Sequence, residues 1–271
     1  MPELPEVEIV CRNLNEILKP PFQIASWQFF RKDLRFKIPQ KELLQLLNKD
    51  ILAIQRRAKY ILFETADAVI VSHLGMTGSW RVESKDWNKR KHDHVAFEFK
   101  TDLFLIYEDA RRFGFIEFFK KSEVHQRFAD LGPEPLAKET DFDQLTKNFK
   151  KLSSPIKIAL MNQKFLVGVG NIYASEVLFR SGVSPLKKCS NVTAEQYKLI
   201  WKWTKKILES AIEKGGSTIE NYRNSFGESG GYQASFFVYG RKGQLCIKCN
   251  TPVRSLVQGG RTTFWCKTCQ K

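Results

Sequence analysis

Hydrophobic positions recur at helical spacing at the start of the chain and at strand spacing after it. Val7, Val10, Leu14 and Leu18 fall on one face of a predicted helix that Pro20 ends. Short segments rich in Ile, Val, Phe and Tyr follow, and turns separate them, which predicts an antiparallel sandwich or barrel. The predicted strands are 23–31, 51–56, 60–64, 69–74, 79–83, 94–100, 103–108 and 115–119, with one short helix over 41–48.

A cluster of Gly and Pro at 131–135 ends the strand pattern, and the period beyond it is helical. Predicted helices cover 141–151, 155–162, 172–181 and 194–213. In the last of them, Leu199, Trp203, Ile207 and Ala211 are predicted to form the buried face. Residues 217–233 are polar and rich in Gly, which predicts a mobile loop.

The charge of the chain points to a polyanionic partner. Lys and Arg number 44 against 29 Asp and Glu, which gives a net charge of +15. Such an excess favours nucleic acid, although acidic membrane surfaces and ribosomal partners stay open on charge alone. No segment approaches the roughly 18 apolar residues of a membrane span, and the acidic start lacks the basic region of a secretory signal. We therefore expect a cytosolic protein without a membrane-spanning segment.

Four of the six cysteines form two Cys-x-x-Cys pairs near the C-terminus. Each pair supplies two thiolates from one tight turn, which is the ligand pattern of a zinc ribbon or β-hairpin finger. Because every ligand is a cysteine, we expect one structural zinc ion without an open coordination position. Two redox pairs are the alternative, but no thioredoxin-like pattern surrounds them. The predicted ligands are Cys246, Cys249, Cys266 and Cys269.

The first two residues, Met1 and Pro2, suggest a possible nucleophile. Removal of Met1 would leave a secondary amine, and an α-amino group has a pKa of roughly 7.7–8. Such an amine is partly unprotonated near neutral pH and can attack a carbonyl-like carbon to form an iminium ion. Glu3 stands next to it and could move a proton. From these residues alone, the simpler interpretation is that Pro2, Glu3, Pro5 and Glu6 only begin a helix.

A series of short motifs runs in a fixed order along the chain and ends with the four cysteines. They are PELPEVE at 2–8, QRRAKY at 55–60, HLGMTG at 73–78, KHDH at 91–94, DARRFG at 109–114, LGPEP at 131–135, VGVGNIYA at 167–174, VYGRKG at 238–243 and GRTTF at 260–264. Each motif is modest, but the ordered set resembles the bacterial formamidopyrimidine-DNA glycosylases, which remove oxidised purines. One departure is Ala110, where the family often has Pro.

The resemblance implies a multidomain α+β fold. Residues 1–132 would form an N-terminal catalytic antiparallel β-sandwich with flanking helices. Residues 133–234 would form a helix–two-turn–helix DNA-binding domain with a lesion-recognition loop, and 235–271 a four-cysteine β-hairpin zinc finger. The expected partner is double-stranded DNA that contains oxidised bases or abasic sites, and no membrane is expected as a partner. A monomer suffices to bind one lesion.

The resemblance also assigns catalytic roles. The Pro2 nitrogen would attack C1′ of the damaged nucleotide, and the resulting Schiff base would lead to strand cleavage by β- and δ-elimination. Glu3 would transfer protons, and Glu6 would support the site through hydrogen bonds. Lys59 and Arg261 match positions credited with proton donation or phosphate contact, although an Arg with a pKa above about 12 suits phosphate binding better than acid catalysis.

Further positions match DNA contacts of the family. Met76, Arg111 and Phe113 correspond to the residues that fill the void left by the extruded base, and His92, Lys151 and Asn171 correspond to DNA-binding positions. Five of the assigned residues have an ordinary alternative: Met76 as core filler, Phe113 as sheet packing, Arg111 as a simple phosphate contact, Lys59 as a solvated strand lysine, and Asn171 as a helix N-cap. Within the predicted loop, Glu220, Tyr222 and Ser225 are candidates for reading the damaged base.

Two other functions stay open. The start PELPEV favours oxidised purines, whereas the endonuclease VIII branch, which prefers oxidised pyrimidines, begins PEGPE. A zinc-bearing DNA-binding paralogue without catalysis is the second alternative, and the presence of Pro2, Glu3 and Lys59 argues against it.

Overall fold

The computed structural model describes residues 1–217 and 230–271, which belong to two compact units. The first unit comprises the described parts of Met1–Ala129 and Lys214–Gly231, and the second comprises Asp130–Glu213 and Tyr232–Lys271. Most of the predicted loop 217–233, with Glu220, Tyr222 and Ser225, lies outside the described residues. The three-part division at 132 and 234 stays a prediction.

The first unit is a sandwich of two antiparallel sheets with a helix, α1 (Leu4–Leu18), packed on it. One sheet has the strand order β2-β1-β7-β8-β6 and the other β3-β4-β5-β9. The strands are β1 (Phe22–Phe29), β2 (Asp50–Ile51), β3 (Ala53–Arg57), β4 (Tyr60–Glu64), β5 (Ala68–His73), β6 (Gly78–Ser84), β7 (Asp93–Phe99), β8 (Leu103–Asp109) and β9 (Phe115–Lys120). The described part of the unit also contains two short helices, α2 (Gln40–Leu44) and α3 (Val124–Phe128). The predicted antiparallel sandwich is thereby confirmed.

Aromatic side chains from both sheets fill the core of the sandwich. The ring of Phe63 from β4 packs edge-to-face against Trp80 from β6 at 5.5 Å and against Phe97 from β7 at 6.0 Å. Strand residues alternate between the two faces of a sheet, so every second side chain enters this core. Burying these large rings stabilises the unit through the hydrophobic effect and edge-to-face ring contacts.

Helix α1 is fixed to β3 by three contacts in succession. The Asn15 side chain donates to the carbonyl of Ile54 at 2.7 Å, the Cys11 thiol contacts the carbonyl of Gln55 at 3.5 Å, and the Arg56 guanidinium pairs with Glu8 at 2.8 Å. Residues nearer the N-terminus of α1 contact residues nearer the C-terminus of β3, so the helix and the strand run antiparallel. The N-terminus of α1 and the turn that connects β3 to β4 therefore lie at the same end of the sandwich.

The second unit is helical and ends in a two-stranded hairpin. Its α-helices and strands are α4 (Phe142–Lys150), α5 (Ile156–Met161), α6 (Asn171–Arg180), α7 (Ala194–Glu213), β10 (Arg254–Gln258) and β11 (Arg261–Trp265), and two short 3-10 helices lie at Cys189–Asn191 and Tyr232–Ser235. The predicted buried face of α7 is wrong in part, because Leu199 is 42% exposed. Trp203 is only half-buried, whereas Ile207 and Ala211 are buried as predicted. The buried stripe also includes Tyr197, Ile200, Trp201, Thr204 and Leu208. None of the helices in the described parts of the chain is long and apolar enough to cross a bilayer.

A buried carboxylate joins α6 to the segment that leads into the hairpin. Glu176, which is 2% exposed, accepts backbone N–H bonds from Phe237 at 2.9 Å, Val238 at 3.0 Å and Tyr239 at 2.8 Å. Burial raises the pKa of Glu176, while the three N–H bonds and Arg180 oppose that rise. Three backbone donors, of which that of Val238 is buried, thus depend on one buried side chain.

Removal of this carboxylate is expected to destabilise the second unit. Glu176→Ala removes the acceptor of three backbone N–H groups, one of them buried, and should cost roughly 3 kcal/mol of unfolding free energy. Glu176→Gln keeps one acceptor oxygen and should cost less. Urea denaturation measures both, with the exposed Glu209→Ala as the control. Equal stability of Glu176→Ala and the control would show that the three bonds contribute nothing.

Candidate active site and metal centre

Strand register brings several loops together at one end of the sandwich. Tyr60 at the start of β4 pairs with His73 at the end of β5, and His73 pairs with Phe115 at the start of β9. In the other sheet, Gly78 at the start of β6 pairs with Asp109 at the end of β8. The 58–59 turn, the 74–77 loop and the 110–114 loop therefore share this end with the N-terminus of α1.

Pro2 and Glu3 lie at the beginning of α1, where they are buried beneath an exposed Met1. The backbone N–H of Glu3 donates to Oε2 of Glu6 at 2.8 Å. Oε1 of Glu6 accepts from the backbone N–H of Ser217 at 2.7 Å and from its hydroxyl at 2.9 Å. Both oxygens of Glu6 thus hold backbone groups, which fits the predicted supporting role.

Lys59 lies in the tight turn between β3 and β4 and is only 6% exposed. The preceding residue, Ala58, adopts a left-handed φ of 54°, which is uncommon for a residue with a side chain. The carbonyl of Ala58 accepts a bond from Arg56 at 3.1 Å. Arg56 also binds Glu8; burial alone would raise the pKa of Glu8, but the hydrogen bonds from Arg56 and Arg12 lower it. A solvated strand lysine is therefore the wrong description of Lys59.

Met76 and Phe113 project from two neighbouring loops as exposed apolar side chains. Met76 is 36% exposed and Phe113 45% exposed, so neither is a core residue. The guanidinium of Arg111 lies 4.8 Å from the centre of the Phe113 ring. Single exposed apolar side chains are common in proteins, but these two project from loops whose backbones lie in close contact, which makes this end of the sandwich a candidate contact surface. His92, the remaining predicted DNA contact in this unit, is exposed at the same end, immediately before β7.

His73 holds the loop that carries Met76. Its Nδ1 accepts the backbone N–H of Gly75 at 3.0 Å, and its ring stacks on Phe115 at 5.2 Å. Burial, together with the positive charges of Lys59, Arg35 and Arg127, lowers the pKa of His73 to about 4. The imidazole is therefore neutral at physiological pH, as its acceptor role requires.

The predicted contacts of the second unit lie on three of its elements. Lys151 is exposed at the end of α4, and Arg261 is exposed at the start of β11. Asn171 is the first residue of α6, but the N-cap is Gly170, so the N-cap alternative for Asn171 is wrong. Its side chain instead donates to the carbonyl of Thr262 at 2.9 Å.

Sequence reasoning missed Lys157, which is fully buried in α5. Its ammonium donates to the Asn171 side chain and, at 2.7 Å, to the Thr263 hydroxyl. Lys157 thus links α5, the start of α6 and the hairpin. The only signal in the sequence is a lysine among apolar residues of a short helix, which by itself indicates nothing.

The four predicted zinc ligands converge in the second unit. Their sulfur atoms all lie within 4.8 Å of one another, with 3.9 Å between Cys246 and Cys269 and 3.4 Å between Cys249 and Cys266. A tetrahedral zinc ion with Zn–S bonds of about 2.3 Å requires sulfur atoms about 3.8 Å apart. The cluster fits one zinc ion, and no water-binding position remains among four thiolates.

Family models match three stretches that together cover most of the chain. Residues 1–116 match the formamidopyrimidine-DNA glycosylase N-terminal domain, 131–223 match the H2TH domain of the same enzymes, and 243–271 match the zinc finger found in FPG and IleRS. This chain belongs to the formamidopyrimidine-DNA glycosylase family. The four cysteines are accordingly its zinc finger, and the predicted fold and cofactor are confirmed.

Individual relatives of the family cover the whole chain. The formamidopyrimidine-DNA glycosylases of Bdellovibrio bacteriovorus and Bacillus licheniformis are 46% and 40% identical to it, with all of each chain covered. Among solved structures, wild-type Lactococcus lactis Fpg in complex with N7-benzyl-Fapy-dG-containing DNA is 34% identical, with a TM-score of 0.92 over both full chains. The same protein in complex with DNA containing an abasic site gives 0.90 over 99% of each chain.

Zinc removal is expected to disrupt the finger. A structural zinc ion contributes directly to folding, so chelation should unfold the hairpin and increase its proteolysis. Metal analysis should find one zinc per chain, and Cys249→Ser should lower that content. Cys189→Ala, which removes a buried thiol outside the cluster, should leave it unchanged. Full zinc content in Cys249→Ser would contradict the ligand assignment.

The low pKa of His73 predicts a loss of stability in acid. Below pH 6.5 the unfolded chain takes up a proton that the folded chain takes up only near pH 4. Stability should therefore fall as the pH drops through this interval, by about 2 kcal/mol from pH 7 to 5. His73→Asn keeps an acceptor near Nδ1 and should weaken this dependence in urea titrations. The exposed His125→Asn should retain it, and identical pH profiles for the two variants would refute the assignment.

Proposed function

We propose that this chain is a bifunctional DNA glycosylase and abasic-site lyase that excises oxidised purines through a Schiff base at Pro2. The strongest support for this proposal is the shared location of the predicted catalytic and wedge residues. A buried Pro2-Glu3 start, a buried Lys59 and two exposed apolar side chains share one end of the sandwich. Family membership supplies the substrate class, since the relatives are formamidopyrimidine-DNA glycosylases and a neighbour binds DNA with a Fapy-dG derivative.

The N-terminus supports covalent catalysis. Met1 is 46% exposed, so its removal uncovers the Pro2 nitrogen without disturbing the core. The free secondary amine attacks C1′, and the base departs with the electrons of the glycosidic bond. The attached amine then loses its proton, and its lone pair expels O4′, which Glu3 protonates. The sugar ring opens, and an iminium ion joins C1′ to Pro2. The iminium acidifies the C2′ hydrogens, so elimination of the 3′-phosphate and then of the 5′-phosphate follows. Glu3 and Lys59 serve the proton transfers, and Glu6 holds the backbone of Glu3 in place.

The exposed loop residues support base extrusion. An enzyme that acts on C1′ must take the damaged nucleotide out of the stack, and the vacated space must be filled. Met76 and Phe113 act as apolar wedges, and Arg111 binds the unpaired base opposite. His92, Lys151, Asn171 and Arg261 bind the DNA backbone, for which the net charge of +15 supplies the long-range attraction.

The zinc finger and the cysteines favour the bacterial cytosol as the place of action. Thiolate ligands persist in a reducing compartment, and the DNA substrate lies there. The zinc ion serves only to hold the fold of the finger; a monomer contains every group that the reaction requires.

Borohydride trapping tests the nucleophile and the lesion class together. The processed chain should form a covalent adduct with 8-oxoguanine:cytosine duplexes. A chain that retains Met1 has an amide at Pro2 and should lose trapping by about 1,000-fold or more. Pro5→Ala, which alters another proline at the start of α1, should keep it.

Each outcome of this experiment decides one alternative. Trapping by the chain that retains Met1 would overturn the Pro2 assignment. Faster reaction with thymine-glycol duplexes would move the chain to the pyrimidine-preferring branch. Binding without any adduct would identify a zinc-containing DNA-binding protein without catalysis.

A further inference from the structure

We propose that Asp109 is a positioning residue that holds the two wedge loops, 74–77 and 110–114, as one rigid platform. This inference rests on the proposed function, because it concerns how Met76, Arg111 and Phe113 are aimed. Asp109 itself does not reach the surface, since it is fully buried at the end of β8.

The carboxylate of Asp109 binds both loops at once. Oδ1 accepts the hydroxyl of Thr77 from the first loop and the backbone N–H of Arg111, at 3.2 Å, from the second. Oδ2 accepts the backbone N–H of Gly114 at 2.8 Å. The Thr77 hydroxyl oxygen also accepts the N–H of Arg111 at 3.0 Å, which closes the connection between the loops.

The backbone of Asp109 is itself fixed by hydrogen bonds to the beginning of β7 and the residue before it. Its N–H donates to the carbonyl of His92 at 3.1 Å, and its carbonyl accepts Nε2–H of His94 at 2.8 Å. Burial lowers the pKa of His94, which keeps the ring neutral with one N–H to donate. The backbone of Asp109 is therefore held by β7 while its carboxylate is held by the two loops. The carboxylate oxygens consequently have little freedom to follow a moving loop.

The two loops also touch through their backbones. Gly75 has a φ of +61°, and a Cβ atom there would lie 2.4 Å from the nitrogen of Gly114 and 2.4 Å from the carbonyl carbon of Phe113. No side chain fits between them. Gly75, which precedes Met76, thus packs directly against the backbone of Phe113 and Gly114. A displacement of one loop therefore displaces the other.

A wedge that enters a base stack must be ordered before contact, because ordering it during binding would reduce the free energy available for extrusion. The platform supplies that order, because the buried carboxylate of Asp109 connects the loop that carries Met76 to the loop that carries Arg111 and Phe113. Loss of the charge should therefore impair base extrusion and leave the Pro2 chemistry intact.

Two substrates separate these steps. An 8-oxoguanine:cytosine duplex requires extrusion, void filling and chemistry, whereas a single-stranded abasic oligonucleotide has no opposing base and requires chemistry alone. Asp109→Asn should lower kcat/KM on the duplex by about 10- to 100-fold, as expected for loss of hydrogen bonds to a charged group. Cleavage of the single strand should stay within about twofold of the parent chain.

Matched variants separate positioning from general damage. Asp86→Asn makes the same chemical change at an exposed position of the same unit and should affect neither substrate. Thr77→Val removes the bridging hydroxyl and should repeat the duplex defect, whereas Thr77→Ser retains it and should restore activity.

The outcomes are distinguishable. If the parent chain fails to cleave the single-stranded abasic site, the proposed chemistry is wrong, whatever Asp109 does. If the parent chain cleaves it and Asp109→Asn loses both activities equally, or loses neither, the platform is wrong. If Thr77→Ser is as defective as Thr77→Val, the hydroxyl bridge does not connect the loops.

Discussion

The pairing register of two antiparallel sheets is the constraint on which the site depends. A strand places alternate side chains on opposite faces, so a slip of one residue would turn the aromatic core outward. Phe63, Trp80 and Phe97 fix the register of their strands in the interior. Once the register is fixed, the strands end where they do, and the loops at 58–59, 74–77 and 110–114 meet at one end. The site is in this sense a consequence of core packing.

Strong periodicity made most of this architecture predictable from the sequence. The strand patterns and α7 (194–213) were identified from hydrophobic spacing, and four cysteines at metal-ligand spacing identified the finger. Short elements were not predictable in the same way: α3 (Val124–Phe128) has no buried residue to give it a period, and Leu52 divides the predicted strand 51–56 into β2 and β3. In α7 the apolar residues occupy more than one stripe, and only packing against α4 and α6 determines that Tyr197 and Ile200 are buried instead of Leu199.

The buried polar groups lay beyond the reach of sequence patterns. Lys157 finds its partners 14 and 106 residues away, and Glu6 finds Ser217 at a separation of 211 residues. A titratable side chain in a sequence gives no sign of such partners. The motif resemblance indicated that Arg111 and Phe113 matter, but it could not indicate what aims them, because that depends on which loops the register brings together.

Three buried carboxylates share one arrangement. Glu6, Asp109 and Glu176 each accept backbone N–H groups from segments that have little regular structure of their own. A hydrophobic core is non-directional and fixes sheets and helices, but it does not specify the path of a loop between them. A buried carboxylate does specify that path, since it is costly unless its donors occupy defined positions. The core thus determines where the strands end, and the buried charges determine how the loops proceed from those ends.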